Sequence, residues 1–199
     1  MTVLLQFSTR FAPLGLFSWR GGSRMASDLF DRQMAMYTSF HRDGRNRLTH
    51  FFGIPAIILA VLLVLATVPL GSIGGWPATL ADLVALLVWL LWIALDLGLG
   101  LAMAVVVIPG LIVAHAVVAA GSGWVTWTVA AVLFVGGWAL QLVGHAYEGK
   151  RPAFLSNLFQ LLIGPMFLMA ETAFALGLRS GLKHRVEAAA DAYFSRAGR

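Results

Sequence analysis

Leu80–Ala120 reads LADLVALLVWLLWIALDLGLGLAMAVVVIPGLIVAHAVVAA, 41 residues in which Asp82, Asp96 and His115 are the only ionisable groups. One membrane-crossing helix needs roughly 20 apolar residues at about 1.5 Å of rise each. The block is twice that length, so it holds two helices, with the reversal expected near Leu95-Asp96-Leu97-Gly98, where an isolated acid and the glycines fall. Working outward, Phe51–Leu70 is a span of its own, and Gly71-Ser-Ile-Gly-Gly-Trp-Pro77 supplies turn residues and an interfacial Trp76. After Gly121-Ser-Gly123, Trp124–Val143 forms a further span. Phe154–Leu178 is apolar enough for a last one, but Gly164-Pro165 should break or kink it, making it either a full span or a re-entrant segment. The expected fold is all-α: a polytopic transmembrane helical bundle with four to five spans.

Composition agrees. Of 199 residues 59% are apolar and 12% charged, too few charges to coat a soluble domain of this size. From Phe51 to Gly144 the only charged residues are Asp82 and Asp96. The net charge of +5 comes from basic residues gathered mainly in the first 47 and last 21 positions. They read as topology determinants and lipid-headgroup contacts, so membrane lipids are expected partners and nucleic acid is not. Seven Arg precede the first span, none lies in the Gly71–Thr79 or Gly121–Gly123 turns, and Lys150-Arg151 follow the fourth span. The N-terminus is therefore expected on the cytoplasmic side, with the Asp96 turn and the His145–Arg151 loop sharing it. A full fifth span would put Arg179, Lys183 and Arg185 on the outer face against the rule, a conflict that a re-entrant or interfacial last helix removes. The Arg-, Ala- and Gly-rich composition associates with GC-rich bacterial genomes and points to a bacterial inner membrane.

Three regions follow: an N-terminal extension over 1–24, a membrane-embedded catalytic domain over 25–178 and a basic C-terminal tail over 179–199. The first 24 residues make a poor signal peptide, since Arg10 and Arg20 interrupt a weakly apolar stretch, and Met25 is an alternative start. From Ser27 to Phe40, Phe30, Met34 and Tyr37 recur at i, i+4 and i+7, which predicts an amphipathic helix on the cytoplasmic surface.

There is no cysteine, so disulfides, thiolate ligands and a cysteine nucleophile are excluded together, and any metal must be held by nitrogen and oxygen. Three of the five histidines fall at one expected depth: His41 before the first span, His50 at its start and His145 at the end of the fourth. Asn46 and His50 share a helix face, and Gln141, His145 and Glu148 form an i, i+4, i+7 stripe of amide, imidazole and carboxylate. Glu171, inside the last apolar segment, carries a cost of about 2.5 to 3.5 kcal/mol if centred in a spanning helix, which calls for a partner such as a metal ion or a histidine. Imidazoles with carboxylate suit Fe(II), Mn(II) or Zn(II). The plainer alternative is that each interfacial histidine only contacts headgroups or backbone. His115 would lie near the far interface, roughly 25 Å away at 1.5 Å per residue, and stays outside the site. His184 reads as solvated, Asp82 and Asp96 as span-end carboxylates, and the tryptophans as belt and packing residues. Glu148-Gly-Lys150-Arg151 reads as a surface ion pair or, functionally, as a basic pair for a fatty-acid carboxylate.

Tyr37-Thr-Ser-Phe-His41-Arg-Asp-Gly-Arg-Asn46-Arg-Leu-Thr-His50-Phe-Phe-Gly53-Ile-Pro55 resembles the opening motif of the membrane-bound 2-hydroxy fatty acid dioxygenases, known from the fungal endoplasmic reticulum and with bacterial relatives. Trp138-Ala-Leu-Gln141-Leu-Val-Gly144-His145-Ala-Tyr-Glu148-Gly-Lys-Arg151-Pro152-Ala153 is similar to the second signature, and Asn157 through Gly164-Pro165 to Glu171 to the closing helix. Two positions depart: Asp43 stands where Asn is usual, and Gly44 where Pro is common. The resemblance implies Fe(II)-dependent α-oxidation, in which a 2-hydroxy fatty acid loses its carboxyl carbon, O2 is consumed and the chain shortens by one carbon, without 2-oxoglutarate. It implies His41, His50 and His145 as metal ligands, with Glu148 and Glu171 as carboxylate ligand or supporting groups. Asn46 and Gln141 would orient ligands or substrate, and Lys150 and Arg151 would hold the substrate head while the acyl tail lies among the spans. The alternatives are a zinc-dependent lipid hydrolase using the same ligands and a lipid-binding or transport protein. The near absence of polar groups from Phe51 to Val143 weighs against transport. A homo-oligomer is left open.

Overall fold

A computed structural model of the chain describes residues 20–149 and 157–197. Eight helices and one hairpin follow in order: α1 (Arg20–Ser39), α2 (Gly44–Ala66), β1 (Pro69–Ile73), β2 (Trp76–Thr79), α3 (Leu80–Leu95), α4 (Leu97–Ala102), α5 (Ala104–Ala120), α6 (Gly123–Glu148), α7 (Gln160–Ala175) and α8 (Ser180–Ala197). Three stretches are long and apolar enough to cross a membrane: α2, the continuous pair α4–α5 over Leu97–Ala120, and α6. α3 and α7 are apolar but have only 16 residues each, about 24 Å of helix. Leu86, Leu90, Val105, Ile112, Val132 and Val135 point outward, a surface that water would oppose and lipid tails accept.

The reversal falls where the sequence places it. Asp96 ends α3 in an extended conformation, and its carboxylate accepts the Leu99 N–H at 2.8 Å to start α4. The turn expected at Gly71–Pro77 is instead a β-hairpin, so the described fold is not purely helical. Ile73 pairs with Trp76 across Gly74-Gly75, both at positive φ, which is the two-residue loop that matches strand twist. Beyond it Thr79 and Asp82 form a capping box, and Asp82 also accepts from Trp76 and, at 3.0 Å, His115. Asp82 and His115 thus tie down the hairpin end, away from the three clustered histidines.

α2 and α6 lie against each other along a glycine seam. A Cβ built on Gly137 would sit 2.7 Å from Ile57 Cγ1 and 2.9 Å from the Gly53 carbonyl, and one on Gly53 would sit 2.7 Å from Gln141 Nε2. Small residues let the two backbones approach, as is usual between membrane helices. The consequence is that His50 and His145, on separate helices, come within ring contact.

The first and last described helices pack together. Phe30, Met34 and Tyr37 are buried, so the apolar stripe of α1 faces protein, namely α3, α7 and α8, rather than a lipid surface. Residues 179–199, expected as a tail, contribute α8, whose Leu182, Val186 and Ala190 at i, i+4 and i+8 are buried in the contact with α1. Arg185–Asp31 at 2.9 Å and Arg42–Asp191 at 2.6 Å flank it. α7 begins beside Gln33 of α1, carries Glu171 to Arg47 at the start of α2, and is followed by Arg179 bound to Asp96. Both of its ends therefore meet elements on the α1 side of the bundle, and Arg185 of α8 lies beside α1. The extension expected over 1–24 falls almost wholly outside the described residues.

Candidate metal centre

The loop between α1 and α2 carries His41, the first two turns of α2 carry His50, and the last turn of α6 carries His145. All three are buried, at 2%, 1% and 6% exposure, and a ligand atom from each lies within 4.8 Å of the others. Their ring centroids are 4.4, 4.9 and 5.1 Å apart.

Backbone carbonyls decide which nitrogens are free. His41 Nδ1 lies 2.7 Å from the Tyr37 carbonyl and His50 Nδ1 lies 2.9 Å from the Asn46 carbonyl, each four residues upstream. A carbonyl only accepts, so both Nδ1 atoms carry the proton and both Nε2 atoms present lone pairs. Those two Nε2 atoms face each other at 3.0 Å. Two acceptors so placed repel unless a cation stands between them, and nitrogens 3.0 Å apart are within reach of one ion at the imidazole–metal distance of about 2.1 Å. His145 adds a buried Nδ1 with no partner among the described residues. The donor set fits a divalent transition metal, with the carbonyls fixing each ring as supporting hydrogen bonds do at metal sites. Burial first, and then the facing His50, push His41 well below the ordinary imidazole range, so the neutral ligand form prevails. Tyr37 stacks on His41 at 4.1 Å and 5°, holding its plane.

Neither expected carboxylate joins the imidazoles. Glu148 accepts the backbone N–H of Arg42 at 3.1 Å, that of Asp43 at 2.8 Å and the Asn46 side-chain amide at 3.3 Å. It fastens the His41 loop to the end of α6, which stops at Gly149 in the left-handed conformation. Glu171 is partnered by Arg47 at 3.0 Å, an ion pair that offsets the cost of an acid in an apolar segment. Asn46, fully buried, bridges the Phe40 carbonyl and Glu148 while its own carbonyl orients His50. Lys150 and Arg151 lie outside the described residues.

The two departures from the motif have simple accounts. Asp43 is the N-cap of α2, accepting from Arg45 N–H at 2.8 Å, a task Asn performs equally well, and hydrogen bonds from the Arg45 side chain hold its carboxyl at about 2. Gly44 is the first helical residue, where Pro is favoured, and nothing lies within 4 Å of a Cβ built there.

A cavity of 310 Å³ opens from the imidazoles. Besides the imidazoles, Tyr37, Gln141 and Gln160 are its polar lining, and Ile54, Ile57, Ile58, Val61 and Phe134 are among its apolar lining. From His50 to Val61 along α2 the wall runs about 16 Å at 1.5 Å per residue. Tyr37, in sequence only part of the apolar stripe and the opening motif, and Gln160, an amide inside the last apolar segment, both join the site.

The family described as 2-hydroxy-palmitic acid dioxygenase Mpo1-like matches residues 27–176. The 2-hydroxy-palmitic acid dioxygenase MPO1 of Saccharomyces cerevisiae is 29% identical over 157 residues, covering 78% of this chain and 86% of the yeast protein. No solved structure matches the chain. The family match takes in all three clustered histidines, the glycine seam and the whole of α7, and the chain belongs to the Mpo1-like family of 2-hydroxy-palmitic acid dioxygenases.

Proposed function

We propose that this protein is an Fe(II)-dependent dioxygenase that converts 2-hydroxy fatty acids to fatty acids one carbon shorter, at the cytoplasmic face of a bacterial inner membrane. The observation that carries the reading is the pair of facing Nε2 lone pairs of His41 and His50, 3.0 Å apart, joined by a buried His145 at the head of an apolar cavity. His41, His50 and His145 would hold the ion; when bound, it supplies O2 activation and Lewis acidity at positions the protein leaves open. The overall conversion balances with no further reductant: R–CH(OH)–COOH and O2 give R–COOH, CO2 and H2O, the substrate itself supplying the four electrons that O2 takes.

The chain's own residues do the rest. The apolar side chains of the cavity, Ile54 and Phe134 among them, receive the acyl tail and exclude water, while the lining amides Gln141 and Gln160 meet the head group. That division fixes the carboxyl and α carbons beside the imidazoles, which is catalysis by positioning. Glu148 and Asn46 keep His41 and His50 in register.

The test is metal content, O2 uptake and mass spectrometry of the products from 2-hydroxypalmitate on purified protein. Iron with O2 consumption and a C15 acid supports the reading, whereas hydrolysis with bound zinc and no O2 uptake overturns it. His145→Ala should abolish metal occupancy and turnover while membrane insertion persists.

A further inference from the structure

Gln160 is 1% exposed and lines the cavity, and its Oε1 is buried with no partner among the described residues. A buried acceptor left unpaired is costly, of the order of 1–3 kcal/mol, and calls for a donor. The assignment of oxygen and nitrogen on this amide follows from its neighbours. The Phe159 backbone N–H can only donate, and it donates to Asn157 at 3.0 Å, so that atom is Oδ1 and the other is Nδ2. Asn157 Nδ2 then donates to Gln33 at 3.0 Å, making that atom Oε1. Gln160 meets the same Gln33 oxygen and must present Nε2 to it, with Met36 Sδ as a second acceptor 3.6 Å away. Both Gln160 donor positions are engaged by Gln33 and Met36, neither of which lines the cavity, and Oε1 is the atom of this lining residue left without a partner.

We infer that Gln160 Oε1 reads the 2-hydroxyl of the substrate, accepting its proton in a hydrogen bond, and that the Asn157–Gln33 relay fixes this polarity; the inference rests on the dioxygenase reading. A hydroxyl is a donor and satisfies Oε1. An unsubstituted acid leaves it unpaired, and a 2-oxo acid sets a second acceptor against it. Selection for the hydroxylated chain is thus built into an amide held 127 residues away from its anchor on α1.

The polarity of the relay makes the inference sharply testable. Asn157→Asp removes the donor to Gln33, which must turn its amide to donate to the new carboxylate. Gln33 then donates to Gln160 as well, and Gln160 turns its own NH2 toward the cavity. Competition of 2-hydroxypalmitate, 2-oxopalmitate and palmitate against a fluorescent fatty acid is measured anaerobically on the full chain loaded with Fe(II). Contacts of the head group to iron are available to both the 2-hydroxy and the 2-oxo acid and are common to wild type and variant, so the change in their ratio on substitution isolates the amide. The wild type should favour the 2-hydroxy acid, Gln160→Met should weaken that preference about tenfold with iron content unchanged, and Asn157→Asp should shift it toward the 2-oxo acid. General damage to the site would lower all three affinities and would not invert a ratio. Wild-type ratios in both variants would overturn the inference while leaving the dioxygenase reading intact. If Asn157→Asp does not fold, Gln160→Met alone decides. A wild type that neither binds nor oxidises 2-hydroxypalmitate would instead remove the functional reading itself.

Discussion

Glu148→Gln separates a loop clamp from a metal ligand. The carboxylate accepts three hydrogen bonds, from Arg42 N–H, Asp43 N–H and Asn46 Nδ2, the last two sharing Oε2. Gln keeps one acceptor and turns the other into a donor facing donors, so one or two of the three bonds are lost. Hydrogen bonds to a charged group contribute about 1.5–3 kcal/mol each, and with water able to reach Arg42 and Glu148 the low end applies, giving a loss of about 1.5–3 kcal/mol. The loop released is the one that holds His41, and losing a group that orients a ligand weakens metal affinity by about 10- to 100-fold. Iron titration monitored by absorbance or calorimetry, together with thermal unfolding in detergent, reads both effects. Glu148→Gln should bind iron fully at saturation, with reduced affinity, lower thermal stability and an unchanged nitrogen count in X-ray absorption. Two results would refute the reasoning: affinity and stability equal to wild type, or no iron at saturation with stability intact, which is the signature of a direct ligand.

Three further outcomes follow from the same structure. Gly137→Val drives a side chain into Ile57 and the Gly53 carbonyl; overpacking of this kind costs about 1–3 kcal/mol, and because the seam sets the spacing of His50 and His145, iron content should fall along with thermal stability. Leu182→Ala on α8 removes a buried leucine from the α1 contact and should cost about 2–3 kcal/mol while iron stoichiometry stays at wild type, since α8 supplies no ligand. Acid should weaken both folding and iron binding. His41 is depressed in the folded state by burial and by His50, so the stability it contributes is fully present above the unfolded value of about 6.5 and is lost as pH falls below it, the unfolded chain taking up protons the folded ring refuses. Iron affinity and the unfolding midpoint measured from pH 8 to 5 should decline together below that value.

The break in the 41-residue apolar block from Leu80 and the grouping of His41, His50 and His145 were legible in the sequence, because lipid imposes a length and a polarity on every crossing segment. The motif order also carried the family. The hairpin was readable in Gly74-Gly75 between Ile73 and Trp76. The helix α8 was readable in the period of Leu182, Val186 and Ala190, but the charges around that stripe gave it the composition of a solvated tail. What the chain order does not contain is which polar group answers which. Glu148 turns to the His41 loop and Glu171 to Arg47, although either could have met an imidazole. The reason is that hydrogen-bond partners are selected by distances of a few tenths of an ångström between helices far apart in sequence. Only the close approach of α2 to α6, and of α7 to α1, sets those distances, and with them which lone pairs are left for a metal and which acceptor is left for a substrate.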